Sequence, residues 1–125
     1  MLIRYSPQTK EVAVVGSRDE LDELGKLLSS NTGGTIMGSE GKRGTYETML
    51  RSIVIADKPG SIAQISVSKG GDLLISGDRV KLNVLAKNIS GFANEAGEDE
   101  HLHIEYFPGH FYLAPDSVPV VFSFN

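Results

Sequence analysis

The stretch "HLHIEYFPGHFYLAPDSVPV", residues 101–120, holds all three histidines of the chain, together with Glu105, a Pro-Gly pair and three prolines. Imidazoles and a carboxylate are the groups that bind zinc and that move protons near neutral pH. If residues 101–106 are extended, alternate side chains share a face: His101, His103 and Glu105 on one side, Leu102, Ile104 and Tyr106 on the other. The apolar three are expected to face the core. His101 and Glu105 then stand about 13 Å apart along the backbone, whereas zinc ligands sit roughly 2.0 to 2.2 Å from one ion. A near-straight strand therefore offers two ligands, His101 and His103, and hardly a third unless folding brings in His110 or an acid. Three readings stay open here: a metal site, a histidine-dependent acid–base site, and a solvated face or protein-contact surface.

The tetrapeptide "FPGH" predicts a turn with Pro108 and Gly109 central, the order a type II turn prefers. If that turn closes a hairpin of strands near 101–106 and 111–113, Tyr106 faces Phe111 and Ile104 faces Leu113. Glu105 then lies beside Tyr112, which joins the open polar face.

The elements that must carry this segment show in the apolar spacing. "EVAVVGSRDELDELGKLLSS" reads as a strand running into a helix, with Ser17 as N-cap and Glu20 as its capping-box partner. Leu21, Leu24, Leu27 and Leu28 follow at helical spacing. A shift of 61 residues lays Glu11–Ser29 onto "DLLISGDRVKLNVLAKNIS" with six identities in nineteen positions, among them Gly16 with Gly77, Arg18 with Arg79 and Leu24 with Leu85. Two tandem strand-strand-helix-strand units are the expectation, residues 1–56 and 61–124. The first supplies strands near 2–5 and 11–15, a helix near 18–30 and a strand near 46–56. The second supplies strands near 61–68 and 72–76, a helix near 79–91, and strands near 101–106, 111–113 and 118–124. The predicted class is α+β: a mainly antiparallel sheet with two helices on one face.

"NTGGTIMGSEGKRG", at 31–44, carries five glycines in fourteen residues and no apolar period, so a mobile surface loop is expected. It is not a phosphate-binding loop, because Ile36 stands where the first glycine is required and Arg43 follows Lys42. "EAGEDE", at 95–100, lacks the alternating oxygen ligands and central glycine of a calcium loop and reads as a solvated helix-to-strand linker.

The bulk numbers bound the rest. At 125 residues, 40% hydrophobic and 22% charged, the chain has the size and composition of a single globular domain. The absence of cysteine excludes disulfides, thiolate zinc sites and cysteine nucleophiles. No secretory signal pattern opens the chain and no window approaches a membrane span, so a cytoplasmic protein is expected. The net charge of −4 and scattered basic residues argue against nucleic acid and suit a basic protein partner.

The run from "DLLISGDRVKLNVLAKNIS" through "HLHIEYFPGHFYLAPDSVPVVF", residues 72–124, resembles the immunity protein 32 family of bacterial polymorphic toxin systems. The similar parts are the strand entering a leucine-spaced helix, the His-x-His strand, the aromatic-Pro-Gly-His turn and the Pro-Asp-Ser-x-Pro entry to a final apolar strand. The first half is similar only as the weaker internal copy, and the insertion at 31–44 departs from the pattern. The resemblance implies a small cytoplasmic bacterial protein that binds and neutralises a cognate toxin domain, without catalysis. No cofactor and no nucleic-acid or membrane partner is expected, and the chain is expected to be a monomer or homodimer. The motif positions it carries over are His101, His103, Glu105, Pro108, Gly109, His110, Leu113, Pro115 and Ser117. Pro108, Gly109, Leu113, Pro115 and Ser117 are the structural candidates; His101, His103, Glu105, His110 and Tyr112 are the candidate toxin contacts. The alternative reading is a small metal-dependent or histidine-dependent enzyme using the 101–110 hairpin.

Overall fold

In each half a strand of alternating buried residues runs straight into a capped helix. The computed structural model describes residues 1–30, 32–39 and 48–125. After β1 (Leu2–Tyr5), strand β2 (Val12–Gly16) leads into α1 (Arg18–Leu28). The Ser17 hydroxyl accepts from Glu20 N–H at 3.1 Å and the Glu20 carboxylate accepts from Ser17 N–H at 3.0 Å, so two orphan donors of the helix start are satisfied. Further along, β3 (Gly34–Met37), β4 (Thr48–Met49), β5 (Ser52–Asp57) and β6 (Gln64–Val67) precede β7 (Asp72–Gly77), which leads into α2 (Arg79–Glu95). Asp78 caps α2 by accepting from Lys81 N–H at 2.9 Å, and 61 residues separate it from Ser17. Strands β8 (His101–Ile104) and β9 (Val120–Phe124) close the chain.

The α+β class with two helices is as expected, but the strands form two sheets, not one, and both are mixed. Their orders are β4-β1-β2-β9-β8 and β3-β5-β7-β6. Parallel pairs stand inside each, β2 with β9 and β5 with β7, flanked by antiparallel ladders. The cause is an exchange. The strands after α1 join the sheet built on β7, and those after α2 join the sheet built on β2. With β4 left out, replacing β1, β2, β9 and β8 by β6, β7, β5 and β3 turns the first order into the second, read in reverse.

Backbone bonds join the sheets at both edges. At one, Ser39 N–H donates to Met1 O and Leu50 N–H to Ile3 O; at the other, Ala63 N–H donates to Tyr112 O, Ala114 N–H to Ala63 O and Val118 N–H to Ile65 O. The crossing from β4 to β5 is held by the Arg51 guanidinium, which grips Asp72 through two bonds of 2.8 and 3.0 Å, and by the Ser52 hydroxyl at 2.6 Å. These donors hold the Asp72 carboxyl down at about 2. The buried apolar residues of both sheets and both helices form one cluster.

The helices run antiparallel, and the first residue of each reaches the end of the other. Arg18 Nη1 donates to Ala93 O at 3.1 Å, and Arg79 Nη1 to Leu28 O at 2.8 Å. Each places a cation where the helix dipole is negative and carbonyls lack partners. Contact is close at Gly25, where an added Cβ would lie 2.0 Å from Ser90 Oγ and 3.1 Å from Ala86 O.

Two expectations need correction. Residues 34–37, read as part of a mobile loop, form β3 on β5. Glycine serves close approach there: at Gly33, with φ +66°, a Cβ would lie 2.5 Å from Ile55 O, and at Gly34 it would lie 2.8 Å from Leu27. Residue 31 and the rest of the predicted loop, 40–44, lie outside the described residues. Helix α2 also continues four residues past its predicted end, to Glu95. Among the described residues no helix is long and apolar enough to cross a membrane.

Gly25→Val is expected to cost about 1 to 3 kcal/mol, the usual range for overpacking, as measured by urea unfolding. Unchanged stability would show that the helices do not need this contact.

Candidate functional site

Strand β8 presents the alternation its sequence dictates. His101, His103 and Glu105 are exposed, Leu102 is half-buried, and Ile104 is buried. Its partner is not the segment that follows it. β8 pairs antiparallel with β9, setting Leu102 opposite Phe122 and Ile104 opposite Val120, so the predicted hairpin with 111–113 does not form.

The turn at Pro108 and Gly109 does form: His110 N–H donates to Phe107 O at 2.9 Å, with Gly109 at φ +90°. A second reversal follows at once. His110 Nδ1 accepts from Leu113 N–H at 3.2 Å and from Tyr112 N–H at 3.4 Å, which places its ring proton on Nε2. The chain then leaves toward β6, where Leu113 bridges Ala63. Pro115 is exposed in the turn that Ser117 N–H closes on Ala114 O. Ser117 Oγ accepts from Ile65 N–H at 3.1 Å, and Asp116 accepts from Gln64 at 2.8 Å. The "PDSVP" segment is thus a clamp on β6.

These two reversals gather rings around His110. Its centroid lies 4.6 Å from Phe107, 4.4 Å from Tyr112, 6.2 Å from Phe111 and 6.4 Å from Tyr106. The expected open position of Tyr112 is a further correction. Tyr112 is 5% exposed and its hydroxyl accepts from Asn88 of α2 at 3.1 Å; burial pushes its phenol above the usual range. The outward aromatics are instead Phe107, 58% exposed, and Phe111, 67% exposed. A hairpin register puts Phe111 inside; the second reversal, invisible to strand alternation, turns it out.

The five candidate contacts still come together. An open cavity of about 490 Å³ is lined by His103, Glu105, His110 and Tyr112, with Asn88 and the two phenylalanines. A neighbouring one of about 520 Å³ holds His101 with Lys87, Glu95 and Glu100. Asn88 and Leu102 line both, so together they form one groove between α2 and β8 that continues onto the aromatic turn.

The His101 and His103 rings lie 6.4 Å apart. Among the described residues, no three of the metal-ligating types sit where they could share an ion. Nor, among those residues, does a carboxylate pair with any of the three imidazoles.

Charge is the feature that the reading of scattered basic residues missed. All twelve lysines and arginines lie at or before Lys87, while Glu95, Glu98, Asp99, Glu100, Glu105 and Asp116 follow it. Residues 88–125 therefore carry a formal side-chain charge of −6, against +2 for residues 1–87. Four of these acids fall within the six residues that end α2 and lead to β8. Carboxylates at the negative end of a helix oppose its dipole, each at about 0.3 to 1 kcal/mol.

The family model for Immunity protein 32 matches residues 72–125, the stretch from β7 to the chain end that contains α2, β8, the aromatic turn and β9. No curated protein and no solved structure matches the chain. The matched stretch makes up less than half of the chain.

Ser117→Ala is expected to leave the Ile65 N–H, on a residue with no exposed surface, without its acceptor. The loss should be about 1 to 3 kcal/mol in a denaturant titration. An unchanged midpoint would mean that the clamp does not hold β6.

Proposed function

We propose that this chain is an immunity protein: it binds a cognate toxin domain in the cytoplasm of a bacterial producer and blocks it by occupation, without catalysis. The match of residues 72–125 to Immunity protein 32 carries this reading. We further propose that the chain is a single domain of two related halves, and that the second half contributes the contact surface.

Three properties support the groove between α2 and β8 as that surface. It includes exposed Phe107 and Phe111, and large rings at an interface give much buried area for little lost side-chain freedom. Its turn is pinned by the His110 bonds, which lowers the ordering cost of binding. Its acids, set where they do not help α2, suit a basic partner by speeding encounter and excluding wrong ones. His101, His103, Glu105 and His110 act in this reading as polar contacts around the aromatic pair; Tyr112 acts beneath them, through its bond to Asn88.

Expression of the carboxy-terminal domain of the protein encoded just upstream in the producing genome should arrest growth. Co-expression of this chain should relieve the arrest through a complex that co-purifies. Phe107→Ala and Phe111→Ala should each weaken that complex about tenfold or more while the thermal midpoint stays unchanged. Arrest with neither relief nor a complex would refute the immunity reading; alanine variants that bind as tightly as the parent would move the contact surface elsewhere.

A further inference from the structure

Strand β8 ends its sheet. One side bonds to β9, and no described residue pairs with the other. An unpaired edge presents a row of N–H and C=O groups that another strand can complete. The edge residues His101–Ile104 contain no lysine, no proline and no bulge, and the side chains of His101 and His103 are exposed. The edge opens on the groove, where Leu102 is among the residues lining both cavities.

We propose that a partner protein adds an extended, lysine- or arginine-bearing segment to the free edge of β8 as a further strand. The inference rests on the immunity reading and states how the toxin is gripped. Main-chain bonds to residues 101–104 set the register. Glu100 and Glu105 bracket the strand and meet basic side chains, and Phe107 and Phe111 take the apolar side chains of the incoming segment.

Charge selects both the edge and its occupant. Of the other terminal strands, β6 is already covered by Ser117 and Val118, and β3 borders a cavity that carries Glu23 and Lys26, one of each sign, so it has no preference for a basic segment. A second copy of this chain would bring the same acids to the edge, since residues 88–125 carry a formal side-chain charge of −6 and no lysine or arginine. Nucleic acid is repelled by the same acids.

The test is a titration of the whole ¹⁵N-labelled chain with a capped nine-residue peptide alternating lysine and valine. Its glutamate–valine counterpart and two lysine peptides N-methylated at odd or at even positions serve as controls. Expected are saturable shifts of the amides of residues 101–104, at least fivefold weaker binding after Glu100→Lys or Glu105→Lys, no binding of the glutamate peptide, and loss of binding for one of the two N-methylated registers. The proposal is overturned if those amides do not shift at millimolar peptide, or if the glutamate peptide binds equally. It is also overturned if both methylated peptides bind as well as the parent, or if the shifts follow protein concentration alone, which would assign the edge to a second copy. Growth relief with a failed titration would leave the immunity reading and remove strand addition; peptide binding without growth relief would do the reverse.

Discussion

The parallel pairing of β9 with β2 is the constraint on which the rest of the molecule depends. It buries Val12 and Val14 beside Val120 and Phe122, and it can exist only because the strands after α2 cross to the sheet begun by the first half. The reciprocal pairing of β5 with β7 does the same for Ile53, Ile55, Leu73 and Ile75. With each half completing the other's sheet, neither can bury its apolar strand face alone, so the two are expected to fold together. The helices follow from this crossing. They lie antiparallel across a shared core, with Arg18 and Arg79 each closing the far helix end.

The same crossing creates the candidate site. β9 takes one side of β8, and residues 105–119, instead of folding back along the other, travel to β6. The route takes two reversals, and the second, held by His110, turns Phe111 outward and Tyr112 inward. The groove between α2 and β8 is thus bounded by a strand whose outer edge no described residue pairs, a helix end crowded with acids, and a pinned cluster of rings. Stability does not account for that arrangement. Glu95, Glu98, Asp99 and Glu100 lie at the wrong end of α2 for its dipole, and two exposed phenylalanines on one short turn leave apolar surface in water.

Much of this is written in local pattern. The capping box at Ser17 and Glu20, the 61-residue shift that lays Ser17 on Asp78, the type II turn at Pro108 and Gly109, and the inward set of Leu102 and Ile104 all follow from spacing and turn chemistry. What escapes local reading is which strand pairs with which. Ile104 looks ready for a hairpin with Leu113, because alternation fixes a face and says nothing of the neighbour; its partner, Val120, lies beyond a clamp whose key bond, Ser117 to Ile65, spans 52 positions. Strand β3 escapes because Gly33 and Gly34, which signal freedom in a sequence, are there to admit Ile55 and Leu27. The charge asymmetry was legible throughout; it needed only the position of Lys87 as a dividing line.

Hydrogen–deuterium exchange on this chain, free and in complex with the toxin domain, tests the central claim most directly, because it reads the contact surface without altering a residue. The account predicts slowed exchange across residues 95–112, strongest at 101–104, with residues 1–37 little changed. Protection centred on residues 1–37, with 95–112 exchanging as in the free chain, would contradict it.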